Sequence, residues 1–171
     1  MDVNDGDCVS ASGQGDPYSV VYCSIQDAID DASAGDTINV ATGTYAEGIT
    51  VNKGVSVVGA GMDQTLIQGN SFISGDGALI DGCHIQATTA GTHGVQIYPG
   101  SGAEDVTIRN TRIETQFSGK AAIYVETFGL LDGFTLTGNE IIGDYGLTQS
   151  FGALNTVIRD NTFEGISGST S

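Results

Sequence analysis

The sequence predicts an all-β solenoid preceded by one short α-helix, and three observations predict it. A single amphipathic stretch with helical spacing lies near the N-terminus. From Thr37 onward, short β-branched runs alternate with Gly, Asn and Asp. An internal repeat then recurs at spacings of 28, 28 and 22 residues, a period that means stacked supersecondary units.

The amphipathic stretch comes first. Ser24 precedes Ile25, Ala28, Ile29 and Ala32, the i, i+3, i+4, i+7 spacing that puts four apolar side chains on one helical face. Ser24 suits an N-cap, Asp27 can answer it from the third helical position, and Gly35 suits a left-handed C-terminal cap. These signals predict a helix over 24–34. Beyond it, Thr37-Ile38-Asn39-Val40, Gly48-Ile49-Thr50-Val51 and Val55-Ser56-Val57-Val58 read as strands. Strands this short and this closely spaced suit the three faces of a coil that winds and stacks on itself.

The repeat aligns Ile80-Asp81-Gly82-Cys83-His84-Ile85 with Ile108-Arg109-Asn110-Thr111-Arg112-Ile113, then with Leu136-Thr137-Gly138-Asn139-Glu140-Ile141 and Ile158-Arg159-Asp160-Asn161-Thr162-Phe163. Val57, 23 residues before Ile80, extends the series backwards. A second strand follows the first three anchors, with Val95, Ile123 and Leu147 lying 15, 15 and 11 residues on, so the shortening from 28 to 22 falls largely in a loop. In a parallel stack, equivalent positions lie about 4.8 Å apart, so alignment columns become ladders. The Ile/Leu/Phe anchors point inward. Cys83, Thr111, Asn139 and Asn161 form an inward turn column in which the asparagines share amide hydrogen bonds.

Two outward columns carry the polar candidates: Asp81, Arg109, Thr137, Arg159 and His84, Arg112, Glu140, Thr162, with three of the five basic residues on one face. Pairing of Asp81 with Arg109 and of Arg112 with Glu140 is the simplest reading, and each exposed pair is worth little. The sharper reading is a polar groove that holds a sugar chain or positions an acid and a base. Tyr98, Tyr124, Phe128, Tyr145 and Phe151 fall on or beside the second strand column, where aromatic faces can stack on sugar rings. Tyr124 is best placed, between inward Ile123 and Val125. Tyr98, Tyr124, Tyr145, Asp81, His84, Arg109, Arg112 and Glu140 are therefore the candidate carbohydrate-binding residues.

Composition limits the partners. Twenty-one acidic residues against five basic ones give a formal charge of −16. Nucleic acid and anionic membrane surfaces both need clustered cations, so neither is an expected partner. No apolar run approaches the roughly 20 residues that span a bilayer, so membrane insertion is not expected. Glycine at 26 residues with only two prolines points to tight corners rather than disorder. Cys8 and Cys23 flank a polar loop beside the helix; a disulfide there would add about 3 kcal/mol in the loop-entropy picture and imply an extracellular life. Cys83 is left over and reads as a buried small hydrophobe. Met1 runs at once into Asp2-Val3-Asn4-Asp5-Gly6-Asp7, which lacks a leader pattern. The expectation is a processed chain or a protein that leaves the cell without a leader, as a virion component would.

The stretch from Ser24 to Gly61, SIQDAIDDASAGDTINVATGTYAEGITVNKGVSVVGAG, resembles the N-terminal region of right-handed parallel β-helix proteins of the pectin-lyase-like superfamily, pectin methylesterases among them. The resemblance implies a right-handed coil, with the helix covering the first coil's open strand edges, and it implies polysaccharide chemistry. The catalytic motifs do not come with it. Asp63-Gln64-Thr65-Leu66 is a scrambled relative of the methylesterase Gln-Asp-Thr-Leu motif, and the polygalacturonase signatures are absent, with His93 between Thr92 and Gly94. Arg109 and Arg112 are candidate lyase bases, without an evident carboxylate cluster on adjacent coils that Ca²⁺ would need. Asp2–Asp7 resembles a calcium loop with its glycine one residue too early, so no cofactor is assigned beyond a weak case for Ca²⁺.

The expected architecture is an N-terminal extension over 1–22 and a β-helix domain over 23–171 of about five coils. The expected function is that of a noncatalytic module at an extracellular, cell or virion surface, acting as a rigid structural or assembly unit or as a glycan-recognition surface. A divergent or truncated polysaccharide lyase or esterase is the alternative. Gly165-Ile166-Ser167-Gly168-Ser169-Thr170-Ser171 offers no second cap, which suggests a homo-oligomer or larger assembly through an open C-terminal coil. An ice-binding threonine row ranks last, because Leu79 and Val157 interrupt Thr107 and Thr135.

Overall fold

A computed structural model of the chain describes residues 2–3, 21–101, 103–126, 129–149 and 152–166. Two short strands, β1 (Asp2–Val3) and β2 (Val21–Tyr22), precede α1 (Ile25–Asp31). Strands then follow in threes: β3 (Thr37–Val40), β4 (Gly43–Tyr45) and β5 (Thr50–Val51); β6 (Ser56–Gly59), β7 (Thr65–Gln68) and β8 (Ser71–Ile73). Next come β9 (Leu79–Asp81), β10 (His84–Gln86) and β11 (Val95–Ile97), then β12 (Thr107–Arg109), β13 (Arg112–Glu114) and β14 (Ala121–Val125). The remaining groups each gain a short leading strand. These are β15 (Leu131–Asp132), β16 (Thr135–Thr137), β17 (Glu140–Ile142) and β18 (Tyr145–Gln149), then β19 (Ala153–Leu154), β20 (Val157–Arg159) and β21 (Thr162–Glu164).

Every third strand returns to the same sheet as far as β14, and every fourth beyond it. Sheet I stacks β3, β6, β9, β12, β16 and β20, with β1 and β2 outside β3; sheet II stacks β4, β7, β10, β13, β17 and β21; sheet III stacks β5, β8, β11, β14 and β18. The pairings are parallel throughout. The molecule is all-β, mostly parallel strands in stacked sheets with one short helix, as in a β-helix-like solenoid.

Alternation drives the winding, because one inward side chain per short strand aligns with its counterpart in the next rung. Ile38, Val57, Ile80, Ile108 and Leu136 are paired in register on sheet I, and all are buried. Tyr45, Ile67, Ile85, Ile113 and Ile141 do the same on sheet II, and Val51, Ile73, Ile97 and Val125 on sheet III. Each such side chain contributes about 1.5–3 kcal/mol by leaving water.

The corners of sheet I are built by left-handed residues. Gly77, Asp105, Gly133 and Asn155 precede its strands, and Gly82, Asn110, Gly138 and Asp160 follow them, all with φ between 48° and 70°. Only Gly, Asn and Asp take this conformation readily, so the corner positions accept little else. Within the second corner, Thr111 N donates to Asn139 Oδ1 at 3.0 Å and Asn139 N to Asn161 Oδ1 at 2.9 Å. The expected inward ladder is present, and Thr65 extends it one rung earlier, being the residue before Leu66, which pairs with His84.

Helix α1 covers the first rung. Ile25, Ala28, Ile29 and Ala32 are buried, as their spacing predicts. Ser24 is the N-cap, accepting from Asp27 N at 3.2 Å. The helix is shorter than the 24–34 expected: Ala32 is already extended (ψ 152°), and Asp36 Oδ2 instead accepts from Ser33 N at 2.8 Å to make a separate turn. Lys53 closes the helix by donating to the carbonyls of Asp30 and Ala32, both at 2.9 Å. The sequence reading also missed β4, β7 and β8, which lie between the runs it recognised. Cys8, Asn4–Asp7, Phe128 and Phe151 lie outside the described residues, and with them the Cys8–Cys23 pairing and the calcium loop.

Candidate functional site

The sequence candidates separate onto three faces rather than gathering on one. Asp81 and Arg109 stand outward on sheet I, where Arg109 Nε donates to Asp81 Oδ2 at 2.7 Å and Asn110 Nδ2 to Asp81 Oδ1 at 2.9 Å. His84, Arg112 and Glu140 stand outward on sheet II, in register with one another. The left-handed corner between the two sheets turns the chain, so Arg109 and Arg112, only three residues apart, face different ways. Tyr98, Tyr124 and Tyr145 belong to sheet III or its flanks.

On sheet II an open groove of about 380 Å³ is lined by Thr42, Thr44, Asp63, Gln64, His84 and Arg112 among others. Arg112 is held from both sides, Nε to Glu140 Oε2 at 2.6 Å and Nη1 to Asp63 Oδ1 at 3.0 Å. The hydrogen bond to Glu140 raises the Arg112 pKa, which works against any role as a proton acceptor. His84 Nε2 lies 3.5 Å from Glu114 Oε2, too far and too poorly aligned for a good hydrogen bond. Burial pulls the His84 imidazole below its ordinary value, against an opposing pull from Glu114. A ladder of Gln68, Gln86 and Glu114 side chains runs beside it, with Gln68 Nε2 donating to Gln86 Oε1 at 2.9 Å and Gln86 Nε2 donating to Glu114 Oε1. Cys83, directly behind His84, is fully buried, and burial pushes its thiol up to about 12. A thiol so placed is inert.

Sheet III carries the aromatic face. Alternation in Ala121–Val125 buries Ile123 and Val125 and leaves Tyr124 outward, in register between Gln96 and Thr148. A neighbouring column runs His93, Ala121, Tyr145: Ala121 pairs with Tyr145, and His93 lies 28 residues before Ala121. The small alanine between two rings leaves a hollow of about 200 Å³, lined by His93, Gly119, Ala121, Tyr124, Tyr145 and Thr148. The His93 and Tyr124 rings stack with centroids 4.4 Å apart and planes 15° from parallel. Ala121 N donates to His93 Nδ1 at 3.0 Å, which fixes the ring's rotation and its tautomer. Burial, and then the positive charge of Lys120, lower the His93 pKa. Asp144 Oδ2 accepts from Gly119 N at 2.6 Å and Ser118 Oγ at 3.1 Å, holding the turn that forms the rim.

Tyr124 and Tyr145 therefore share a site. Tyr98 does not; it packs on Phe72, with centroids 6.0 Å apart, and burial, then Glu126, raise its pKa. His93 is the lining residue that sequence reasoning set aside. The signal that could have found it is the repeat itself, since the alignment that pairs Val95 with Ile123 and Leu147 puts His93, Ala121 and Tyr145 in one column. Chemically the hollow offers an aromatic platform with polar edges from Tyr145, Thr148 and the second imidazole nitrogen. Among the described residues no group of three or more His, Cys, Asp or Glu is arranged to hold a metal ion, and no helix is long and apolar enough to cross a membrane. No family model matches the chain, and no curated protein matches it.

Proposed function

We propose that the chain is a right-handed parallel β-helix of about five coils, of the pectin-lyase-like kind, and that it works as a noncatalytic module at an extracellular, cell or virion surface that recognises a polysaccharide or cell-surface glycan. The observation that carries this reading is the sheet III hollow, where the stacked His93–Tyr124 pair, Tyr145 and Thr148 surround a floor made by Ala121. A sugar ring presents apolar C–H surface to such a platform and hydroxyls to its polar rim. A net charge of −16 favours a neutral chain over a polyuronate.

The test is a panel of soluble neutral and acidic polysaccharides assayed for binding and for product formation, with and without Ca²⁺. Saturable binding without turnover is expected, with at least a tenfold loss in Tyr124→Ala. Binding that is indifferent to Tyr124→Ala would remove the sheet III site. Turnover lost in His84→Ala or Arg112→Ala would replace the reading with that of a divergent polysaccharide lyase or esterase, for which the sheet II groove and its unsatisfied His84 Nε2 are the supporting features.

A further inference from the structure

We propose that His93 is a proton-operated latch on the sheet III hollow: the neutral ring, holding Ala121 N through Nδ1, keeps the platform over Tyr124 assembled, and protonation at Nδ1 releases it. The inference rests on the glycan reading for its ligand, but the latch is a property of the free protein.

The argument starts from a backbone hydrogen bond. Ala121 opens β14, and its N–H points to His93 Nδ1 at 3.0 Å. An imidazole can accept there only while Nδ1 carries no proton. Once Nδ1 is protonated, two N–H groups face each other at hydrogen-bond distance, and the ring must turn away to relieve the clash. The turn matters because the same ring is stacked on Tyr124 at 4.4 Å and forms one wall of the hollow. Losing one bond therefore dismantles the aromatic pair.

Among the described residues, no charged group favours an imidazolium at His93. From the turn before β14 comes Lys120, whose charge opposes a second cation beside it. The nearby carboxylate, Asp144, is committed to Gly119 N and Ser118 Oγ rather than to the imidazole. The other titratable groups lining the hollow are the phenols of Tyr124 and Tyr145. Cation–π attraction between an imidazolium and Tyr124 opposes release only weakly at an exposed site. A lost backbone hydrogen bond that leaves two donors in contact outweighs it.

The sign follows from linkage. A histidine whose folded pKa lies below its ordinary value contributes stability that is complete above about pH 6.5 and is lost as pH falls through the folded value. The His93–Tyr124 platform is therefore assembled at neutral and alkaline pH and dismantled in acid.

Heteronuclear NMR of the free protein between pH 8 and pH 4.5 tests the latch without any ligand. The expected result is that the His93 ring, the Ala121 amide and the Tyr124 and Tyr145 ring signals move on one curve with a midpoint below 6.5. In parallel, binding of cellohexaose, xylohexaose and maltohexaose is measured at pH 8 and pH 5, with the best binder expected to lose at least tenfold. His93→Phe keeps a ring without a titrating nitrogen, and His93→Gln keeps an acceptor without a ring; both should remove the pH dependence of the Tyr124 signals. An Ala121 amide that stays flat while His93 titrates would overturn the latch. So would an acid loss of the Tyr124 shifts that persists in both variants. No binding of any hexasaccharide at either pH would count against the glycan reading alone, because the free-protein titration still decides the latch.

Discussion

Asn139 and Ser71 show what a single buried polar atom does in this core. Both are almost wholly inaccessible, yet Asn139 is fully engaged: Oδ1 accepts from Thr111 N, and Nδ2 donates to Ile108 O at 3.0 Å and to Asn161 Oδ1 at 2.9 Å. Ser71 Oγ has no partner. Asn139→Ala leaves a buried N–H and a buried carbonyl unpaired, at about 1–3 kcal/mol for each group, so urea denaturation should show a loss of about 2–5 kcal/mol. Ser71→Ala removes an unpaired hydroxyl and should leave stability unchanged or raise it by up to about 1 kcal/mol; a loss comparable to that of Asn139→Ala would show that the hydroxyl is engaged after all. At this scale the sequence is readable where the repeat stacks like on like, as in the asparagine column. It is not readable at His93, because the strand alternation stops at Gly94 and the residue before it looks like ordinary turn.

Helix α1 depends on side chains from elements it precedes. Glu47 accepts from Ile25 N at 2.8 Å, Gln26 N at 3.1 Å and Ser24 Oγ at 2.9 Å, supplying at the N-terminus what Asp27 was expected to supply from within the helix. Gln26 in turn completes the edge of sheet III, its Oε1 accepting from Thr50 N at 2.7 Å as a neighbouring strand's carbonyl would. A seven-residue helix is unstable alone, so these contacts hold it as much as its buried face does. Glu47→Ala removes three hydrogen bonds to a charged group, each worth about 1.5–3 kcal/mol at most, and should lower stability by about 2–4 kcal/mol and speed hydrogen exchange at Thr50 and Val51. Unchanged exchange there would mean that α1 does not guard the edge. The helix was legible because its period is local. Its C-terminal end was not, since Lys53 reaches it from more than 20 residues away. Strand β4 escaped notice for a similar reason: Gly43-Thr44-Tyr45 offers one inward side chain, and only its pairing with Thr65-Leu66-Ile67 makes it a strand.

Taken whole, the molecule is asymmetric along its axis. One end is covered by α1, while in the last described rung Ile158 and Phe163 are 46% and 51% exposed, although they continue columns that are otherwise buried. Val157 and Leu154 are exposed beside them. Edge strands with apolar side chains invite pairing, and a second copy could pair there only end to end, since α1 blocks the first rung. Against that stands a net charge of −16, which makes two copies repel. Salt decides between the two, because the screening length falls from about 10 Å at 0.1 M to about 3 Å at 1 M while apolar burial is not weakened. Sedimentation velocity should therefore show a monomer in 20 mM NaCl and concentration-dependent dimers in 1 M NaCl. Phe163→Glu, at a position already half in water, should abolish the dimer without unfolding the chain, since the side chain leaves no buried hole. Dimers that survive Phe163→Glu at high salt would place the contact elsewhere.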